Sequence, residues 1–410
     1  MPPRSKLRQP PCIVLGLETQ IGLCIVRELG QAGVPVIGIS QDSRAIGMRS
    51  RYLTEAIVFD EPRSESLIQA IRSIGDEHGP CPLLAISEAN LSWLAKHRDE
   101  LGQVTPILPN PAALSLVLDK HATLKVAQAV GISTPVSIQP RSGWELGALL
   151  TECRLPAVLK WSDPNLVAPL LDRHGLPLLK AEYVHTRTEL QAALERYSVI
   201  GEWPLVQEYC SGYGLGQFFF MQRGKVLQRF QHRRVAEWPP EGGFSSVCDG
   251  VPLNQHAELQ SQSVALLRAI GWEGVAMVEY RFDPTRQEAK LMEINGRFWG
   301  SFPLAFHSGA RFAFLSYRQA VGLPLQDLAA PRTDLRCRMV ATELKRLRRI
   351  ILQPELIADR TFPVRPRKET FRFVRDFFRS NVRYYVWLND DPYPFFADLR
   401  NLICKTLRLS

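Results

Sequence analysis

Residues 291–301, LMEINGRFWGS, place a carboxylate, a carboxamide and a guanidinium on alternate positions of one apparent strand: Glu293, Asn295 and Arg297. Successive side chains of an extended chain point to opposite faces, so these three share a face. Residues 275–282 (VAMVEYRF) also read as strand and carry Glu279, and a turn-like DPTRQE segment separates the two runs. A hairpin centred near Arg286 sets Glu279 opposite Glu293 and Met277 opposite Asn295.

Two carboxylates facing each other across a strand pair repel. A divalent cation removes the conflict, and an all-oxygen set of Glu279, Glu293 and Asn295 suits a hard ion such as Mg²⁺, with Mn²⁺ as its substitute. Arg297 would then add fixed positive charge beside a reacting phosphate or acyl group. The competing reading is an exposed hairpin with a charged outer face and Asn-Gly as a simple turn.

The rest of the 410-residue chain gives this hairpin a setting. Its length supports two or three domains, and 45% hydrophobic with 22% charged residues is the composition of an ordinary globular protein. Eight cysteines are scattered without a CxxC pair, the pattern of reduced thiols in a cytoplasmic protein. The apolar N-terminal run CIVLGLETQIGLCIV is interrupted by Glu18, Thr19 and Gln20, and no export signal or membrane span is expected.

Strand-like runs at 12–16, 34–40, 56–59 and 83–87 alternate with helical ones at 20–32, 65–77 and 89–98, which predicts a doubly wound, mostly parallel sheet. Its first turn, GLETQIG, makes a poor dinucleotide fingerprint, because Glu18 would oppose a pyrophosphate. Two short helices over 111–131 are followed by a strand at 155–161 whose one charge is Lys160. A lysine in such a run reaches solvent or meets an anionic partner, either a protein carboxylate or a phosphate. A further strand at 204–210 leads into SGYGLGQ, read as the entry to a hairpin over 218–232. Arg233 and Arg234 precede VAEWPPEGGFSS, read as a Pro/Gly-rich loop, where the arginine pair either holds an anion or lies in solvent. A helix over 254–270 feeds the acidic hairpin.

Lys120 before Gly131–Pro135, Lys160 on PAVLK, Glu208 on VQEYCSG, Glu279 on VEYRFD, and MEINGRFWGS follow one another along the chain. In this order they resemble the ATP-grasp superfamily of carboxylate–amine ligases, in its carbamoyl-phosphate-synthetase-like and biotin-carboxylase-like branch. The resemblance implies an α/β and α+β protein in which a Rossmann-like pre-ATP-grasp domain (10–110) precedes a two-lobed ATP-grasp domain (111–325, lobes 111–205 and 206–325). A basic helical C-terminal extension (326–410) follows. It further implies that Lys120 and Lys160 contact nucleotide phosphates, and that Glu208, Tyr209 and Cys210 form the hinge that reads adenine. Glu279, Glu293 and Asn295 would hold Mg²⁺, with Arg297 steadying the acyl phosphate as a catalytic group. Arg234, from the arginine pair that could hold an anion, joins it as a catalytic candidate. The activity implied is ATP-dependent activation of a small-molecule carboxylate as an acyl phosphate, followed by joining to an amine. A nucleotide-binding scaffold without turnover is the alternative. Two departures stand out. Residues 161–180 hold only Gly175 where a glycine-rich phosphate lid is expected, and Gln217 occupies a position where relatives place an acid for ribose.

Residues 331–410 contain 18 Lys+Arg against 9 Asp+Glu, while the rest of the chain balances at 32 against 32. Leu335, Met339, Leu344, Leu347 and Ile351 fall on one helical face of 334–352. In 368–387, Phe371, Val374, Phe378, Val382 and Tyr385 form an apolar stripe beside Arg372, Arg375, Arg379 and Arg383. Such a segment either lies on anionic lipid, making the protein peripheral at a membrane, or packs on the grasp domain with its arginines in solvent. No nucleic-acid-binding motif accompanies the charge. A homo-oligomer is compatible with the sequence, which does not specify one.

Overall fold

The computed structural model describes residues 9–407 apart from 60, 62, 142–146, 148, 151, 180, 326 and 327. Residue 180 of the expected lid stretch and residues 326, 327 and 408–410 of the C-terminal segment therefore lie outside the described residues.

Strands β1 (Cys12–Leu15), β2 (Val36–Ser40), β3 (Glu55–Val58), β4 (Cys81–Ala85) and β5 (Val104–Pro106) form a parallel sheet ordered β3-β2-β1-β4-β5. β1, β2 and β4 are unbroken apolar runs because helices cover both faces of the sheet. Short polar side chains fix where those helices begin: Thr19, Ser64 and Ser87 accept from the N–H groups of Ile21, Leu67 and Asn90 at 3.3, 3.3 and 3.1 Å. β5 escaped the sequence reading, since a three-residue strand ending in proline carries too little periodicity. In the first turn a Cβ on Gly22 would stand 2.0 Å from the Gly16 carbonyl oxygen, so Gly22 serves close backbone packing. Glu18 accepts from Ser40 Oγ at 2.8 Å and from the Gln41 N–H at 2.9 Å, tying the turn to the end of β2.

β6 (Ser137–Ile138), β7 (Ala157–Lys160), β8 (Glu182–Val184) and β9 (Leu205–Glu208) make a small antiparallel sheet ordered β6-β9-β7-β8. It has its own core of Ala157, Leu159, Leu190, Leu194 and Val206.

The third sheet comprises β10 (Tyr213–Gln222), β11 (Lys225–Trp238), β12 (Phe244–Gly250), β13 (Gly274–Asp283), β14 (Glu288–Asn295), β15 (Arg336–Arg338) and β16 (Val382–Tyr384). Its order is β14-β13-β10-β11-β12-β15-β16, and its pairings are antiparallel except that of β15 with β16. Two expectations change here. The glycine-rich stretch after Cys210 lies inside β10 from Tyr213 on, and the supposed loop after Arg234 is mostly strand, with only residues 239–243 joining β11 to β12. Strand pairing on both sides of β10 and β11 satisfies their backbone groups, which local composition does not reveal.

The C-terminal extension is helical and also supplies β15 and β16. The stripe expected over 371–385 is therefore broken. A helix over Pro366–Arg375 gives way to a turn, and β16 buries Val382 and the following Tyr385, whereas Phe371 and Phe378 remain exposed. The helix Val340–Leu352 likewise buries Leu347 and Ile350 but exposes Leu344 and Ile351. Several arginines of the segment do not face solvent. Arg336 pairs with Asp249 and Asp376, Arg338 with Glu343, and Arg346 with Glu369. No helix among the described residues is long and apolar enough to cross a membrane.

The first and third sheets share two cores. Leu94, Leu124, Phe219, Trp272 and Tyr280 belong to one; Leu23, Val26, Phe218, Trp299 and Phe306 belong to the other. Asp391, wholly buried, accepts from Arg27 Nε at 2.9 Å, Ser50 Oγ at 2.7 Å and the Arg51 N–H at 2.9 Å.

Glu28 gives the fold a pH signature. Its Oε1 accepts from the Phe314 N–H at 2.8 Å, while Oε2 is buried without a hydrogen-bond partner. Burial pushes its carboxyl up to about 7 from an ordinary value near 4.5, against the opposing pull of the Phe314 N–H and Arg311. The folded state thus holds a proton that the unfolded chain has released between those values, so this group lowers stability as pH rises through that window. Glu28→Gln is expected to be near-neutral at pH 4.5 and stabilising at pH 8 by up to about 3 kcal/mol. Thermal melts at the two pH values check this, and equal effects at both would exclude it.

Candidate active site

The hairpin register matches the sequence reading where it matters: Glu279 pairs with Glu293, and Met277 with Asn295. A bulge immediately beyond shifts the pairing, so that Tyr280 meets Leu291. The bulge leaves one extra residue on β14, Met292, next to the two acids, a location typical of functional edges. Asn295 Nδ2 donates to Glu293 Oε1 at 3.2 Å. Two carboxylates and a carboxamide thus share one face, and this donor set fits a hard divalent ion. Among the described residues no group of three or more His, Cys, Asp or Glu forms a metal centre of its own.

The row containing Glu293 and Glu279 continues across the sheet through Gly216, His232 and Gly250. A Cβ on Gly216 would come within 2.8 Å of His232 Nε2, and one on Gly214 within 2.6 Å of Arg234 Cδ. The alternate glycines of β10 therefore clear a channel in which side chains from β11 lie flat. Through it Arg234 reaches Glu279, forming a close ion pair, while its Nη1 donates to Glu237 Oε1 at 2.9 Å and to the Gly243 carbonyl at 2.8 Å. Arg281 Nη1 donates to the other Glu237 oxygen at 3.1 Å. Burial alone would push the Glu237 carboxyl up, but the guanidiniums of Arg281 and Arg234 outweigh it and hold it down at about 2. Glu279, Arg234, Glu237 and Arg281 form a chain of alternating charge along the floor.

The lysines approach from the other side. Asp119 accepts from the N–H groups of His121 and Ala122 at 2.9 and 3.1 Å, starting the helix Lys120–Ala129, so that Lys120 sits on its first turn. Its Nζ is 3.9 Å from Glu293 Oε2. Half-buried Lys160, at the end of β7, donates to Gln207 Oε1 at 3.3 Å. Burial holds the Lys160 ammonium below the usual lysine range; Glu293 and Glu279 draw it up, and Arg281 and Lys120 push it down. Arg297 leaves the end of β14 towards the first sheet, where its Nε lies 3.4 Å from Glu88 Oε1.

Glu208, Tyr209 and Cys210 lie together at the end of β9 and line a cavity of about 40 Å³ with Ser211, Arg281 and Lys290. Glu208 accepts from the Val136 N–H at 3.0 Å and forms a close ion pair with Lys290. Burial raises its carboxyl, but the Lys290 ammonium and the Val136 N–H prevail and keep it below the usual range. The Tyr209 N–H donates to the Pro156 carbonyl at 3.3 Å. Its hydroxyl donates to Asp359 Oδ2 at 2.9 Å and accepts from Thr361 Oγ1 at 3.0 Å. Cys210 Sγ donates to the Glu208 carbonyl at 3.7 Å.

The sequence reading missed Arg281, Glu237, Lys290 and Asp359. Arg281 is two residues beyond Glu279 on one strand, and the alternation that aligned Glu293 with Asn295 would have found it. Glu237 was hidden by taking its strand for a loop. Gln217 requires a correction. It is fully buried, donating to Gln231 Oε1 at 3.0 Å and accepting from Ser263 Oγ at 2.7 Å, on the sheet face opposite Glu279. It forms part of the core's polar network and does not face the candidate nucleotide site. Where a glycine-rich lid was expected, the chain forms the helix Pro164–Arg173.

The sequence model of the carbamoyl-phosphate synthase L chain, ATP binding domain, matches residues 248–328. No curated protein gives a significant sequence match. Among solved structures, the chain is similar to the biotin carboxylase domain of Hydrogenobacter thermophilus 2-oxoglutarate carboxylase, solved with MgADP, ADP and bicarbonate. The TM-score is 0.62 at 15% identity, over 80% of this chain and 73% of that one. It is also similar to N5-carboxyaminoimidazole ribonucleotide synthetase from Thermus thermophilus, with TM-score 0.58 and 16% identity over 78% of this chain and 81% of that one. L-amino acid ligase from Bacillus licheniformis gives 0.55 and 16% over 76% and 74%. At these identities the likeness establishes the fold.

Proposed function

Since this chain has the ATP-grasp fold, we propose that it is an ATP- and Mg²⁺-dependent ligase that joins a small-molecule carboxylate to an amine or similar nucleophile. The observation that carries the reading is the pairing of Glu279 with Glu293 beneath Lys120. In this reading residues 10–110 form the pre-grasp domain, 111–205 and 206–325 the two lobes, and 326–410 the extension, and the protein works in the cytoplasm.

Glu279, Glu293 and Asn295 would hold Mg²⁺, or Mn²⁺ in its place. When bound, the ion neutralises phosphate charge and orients the terminal phosphate for in-line attack. Lys120 and Lys160 bind the phosphate oxygens, while Glu208, Tyr209 and Cys210 enclose the base. A carboxylate oxygen of the substrate attacks the γ-phosphorus and ADP leaves. The amine then attacks the acyl carbon, inorganic phosphate departs, and the amine loses a proton. Arg297, oriented by Glu88, stabilises negative charge on the acyl phosphate. Arg234 acts from the floor: held by Glu237 and paired with Glu279, it would add positive charge for an anion at the end of the channel. A nucleotide-binding scaffold would need neither Arg297 nor the Arg234–Glu237 brace.

The acyl phosphate is the testable commitment. With ATP, Mg²⁺ and a panel of carboxylic acids, hydroxylamine in place of the amine is expected to give a hydroxamate in step with ADP for at least one acid. Tight MgATP binding with neither hydroxamate nor carboxylate-stimulated ADP release across the panel would replace the ligase reading with the scaffold.

A further inference from the structure

The basic segment has one surface that the candidate active site does not use. On the helix Pro366–Arg375 and the turn after it, Arg367, Phe371, Val374, Arg375 and Phe378 recur at the spacing of a single helical face. Phe371 is 66% exposed and Phe378 84%, and Val374 and Phe377 are also in solvent. Arg365, Arg367, Lys368 and Arg375 are exposed around them.

The two acids of this stretch point the other way. Glu369 is taken up by Arg346 and Arg372, the latter at 2.7 Å, and wholly buried Asp376 accepts from Arg336 Nη1 at 2.6 Å. Arg372 also donates to the Val235 carbonyl at 3.2 Å. The inward face is thus neutralised against the third sheet, while the outward face of the helix carries exposed cations beside Phe371, Val374 and Phe378, with Arg375 also 3.6 Å from Asp376 Oδ1. An isolated apolar side chain on a surface needs no explanation, but a run of phenylalanines ringed by basic residues is a feature of interaction sites.

We propose that this face docks on an anionic lipid bilayer. Charge complementarity selects that occupant: exposed guanidinium and ammonium groups bracket rings that enter the headgroup region, as in helices that lie in a membrane interface. The acids are bound internally, so no negative charge of this stretch faces the surface. The inference is independent of the ligase reading, since none of these residues touches the candidate active site.

Sedimentation of the full chain with vesicles of phosphatidylcholine containing about 30% phosphatidylserine, against phosphatidylcholine alone, tests it. Binding is expected only with the anionic vesicles, falling steeply as salt rises from about 50 to about 300 mM. Arg367→Gln with Lys368→Gln is expected to lower partitioning about 25-fold, at roughly fivefold per charge near the surface. Phe371→Ser with Phe378→Ser should lower it at constant charge. All four substitutions are at exposed positions, and unchanged thermal melts confirm that the variants fold. Equal recovery on neutral vesicles, no binding to either, or partitioning unaffected by both variants would overturn the proposal. So would light scattering in which the phenylalanine variant turns a dimer into a monomer while vesicle binding is unchanged, since the face would then join two copies of the chain.

Discussion

Glu293→Ala is expected to reduce carboxylate-stimulated ADP release on the order of a thousandfold, the upper range for losing one preorganised electrostatic contact. Glu293 serves two sets of neighbours. Its carboxylate opposes Glu279 across the hairpin and accepts from Asn295, and it also lies 3.9 Å from Lys120 and bears on the charge of Lys160. Removing it takes an oxygen from the proposed Mg²⁺ set and at the same time unmasks two cations. The consequence distinguishes a metal ligand from a structural acid. Affinity for ATP without metal should hold or rise, because Lys120 and Lys160 then face the phosphates with less competition, whereas the gain normally given by Mg²⁺ should disappear. Calorimetric titration with ATP, with and without Mg²⁺, reads both. An unchanged Mg²⁺ enhancement would remove Glu293 from the metal site.

Asp391→Ala is expected to cost about 3–5 kcal/mol of folding stability, the range for stranding one partner of a buried ion pair. Asp391 and Arg27 are both wholly buried, and Arg27 Nη2 also donates to the Asp391 carbonyl at 2.8 Å. Without the carboxylate, the guanidinium, Ser50 Oγ and the Arg51 N–H all lose an acceptor in a dry site. The double variant Arg27→Met, Asp391→Leu should recover part of the loss, since two apolar side chains leave no stranded charge. Urea unfolding of the single and double variants measures this. A loss below about 1 kcal/mol in Asp391→Ala would show that water enters and solvates Arg27.

What the sequence disclosed follows the range of the interactions involved. The Glu279–Glu293 register was legible because a hairpin is local and strand alternation is rigid. The first sheet was legible because its central strands are unbroken apolar runs. Fates decided by distant partners were not. Gln217 looked available to a nucleotide until the strand parity of β10 placed it beside Gln231 and Ser263 in the core. The apolar stripe from Phe371 to Tyr385 looked continuous, yet β15 recruits residues 382–384 as a neighbouring strand and splits it. Arg336, Arg338 and Arg346 looked like surface charge, while their acids lie on strands and helices that periodicity cannot bring together.

The Arg27–Asp391 clamp also fixes an order of events during synthesis. The two residues are 364 positions apart, so the helix carrying Arg27 holds an unpartnered guanidinium in its packed face until the long stretch up to Asp391 has been made. The first sheet, although its strands are made well before Asp391, therefore reaches its final stability only once that residue has been added. Early arrest of translation would release a nascent sheet with its most buried charge unanswered, a natural target for chaperones and proteases.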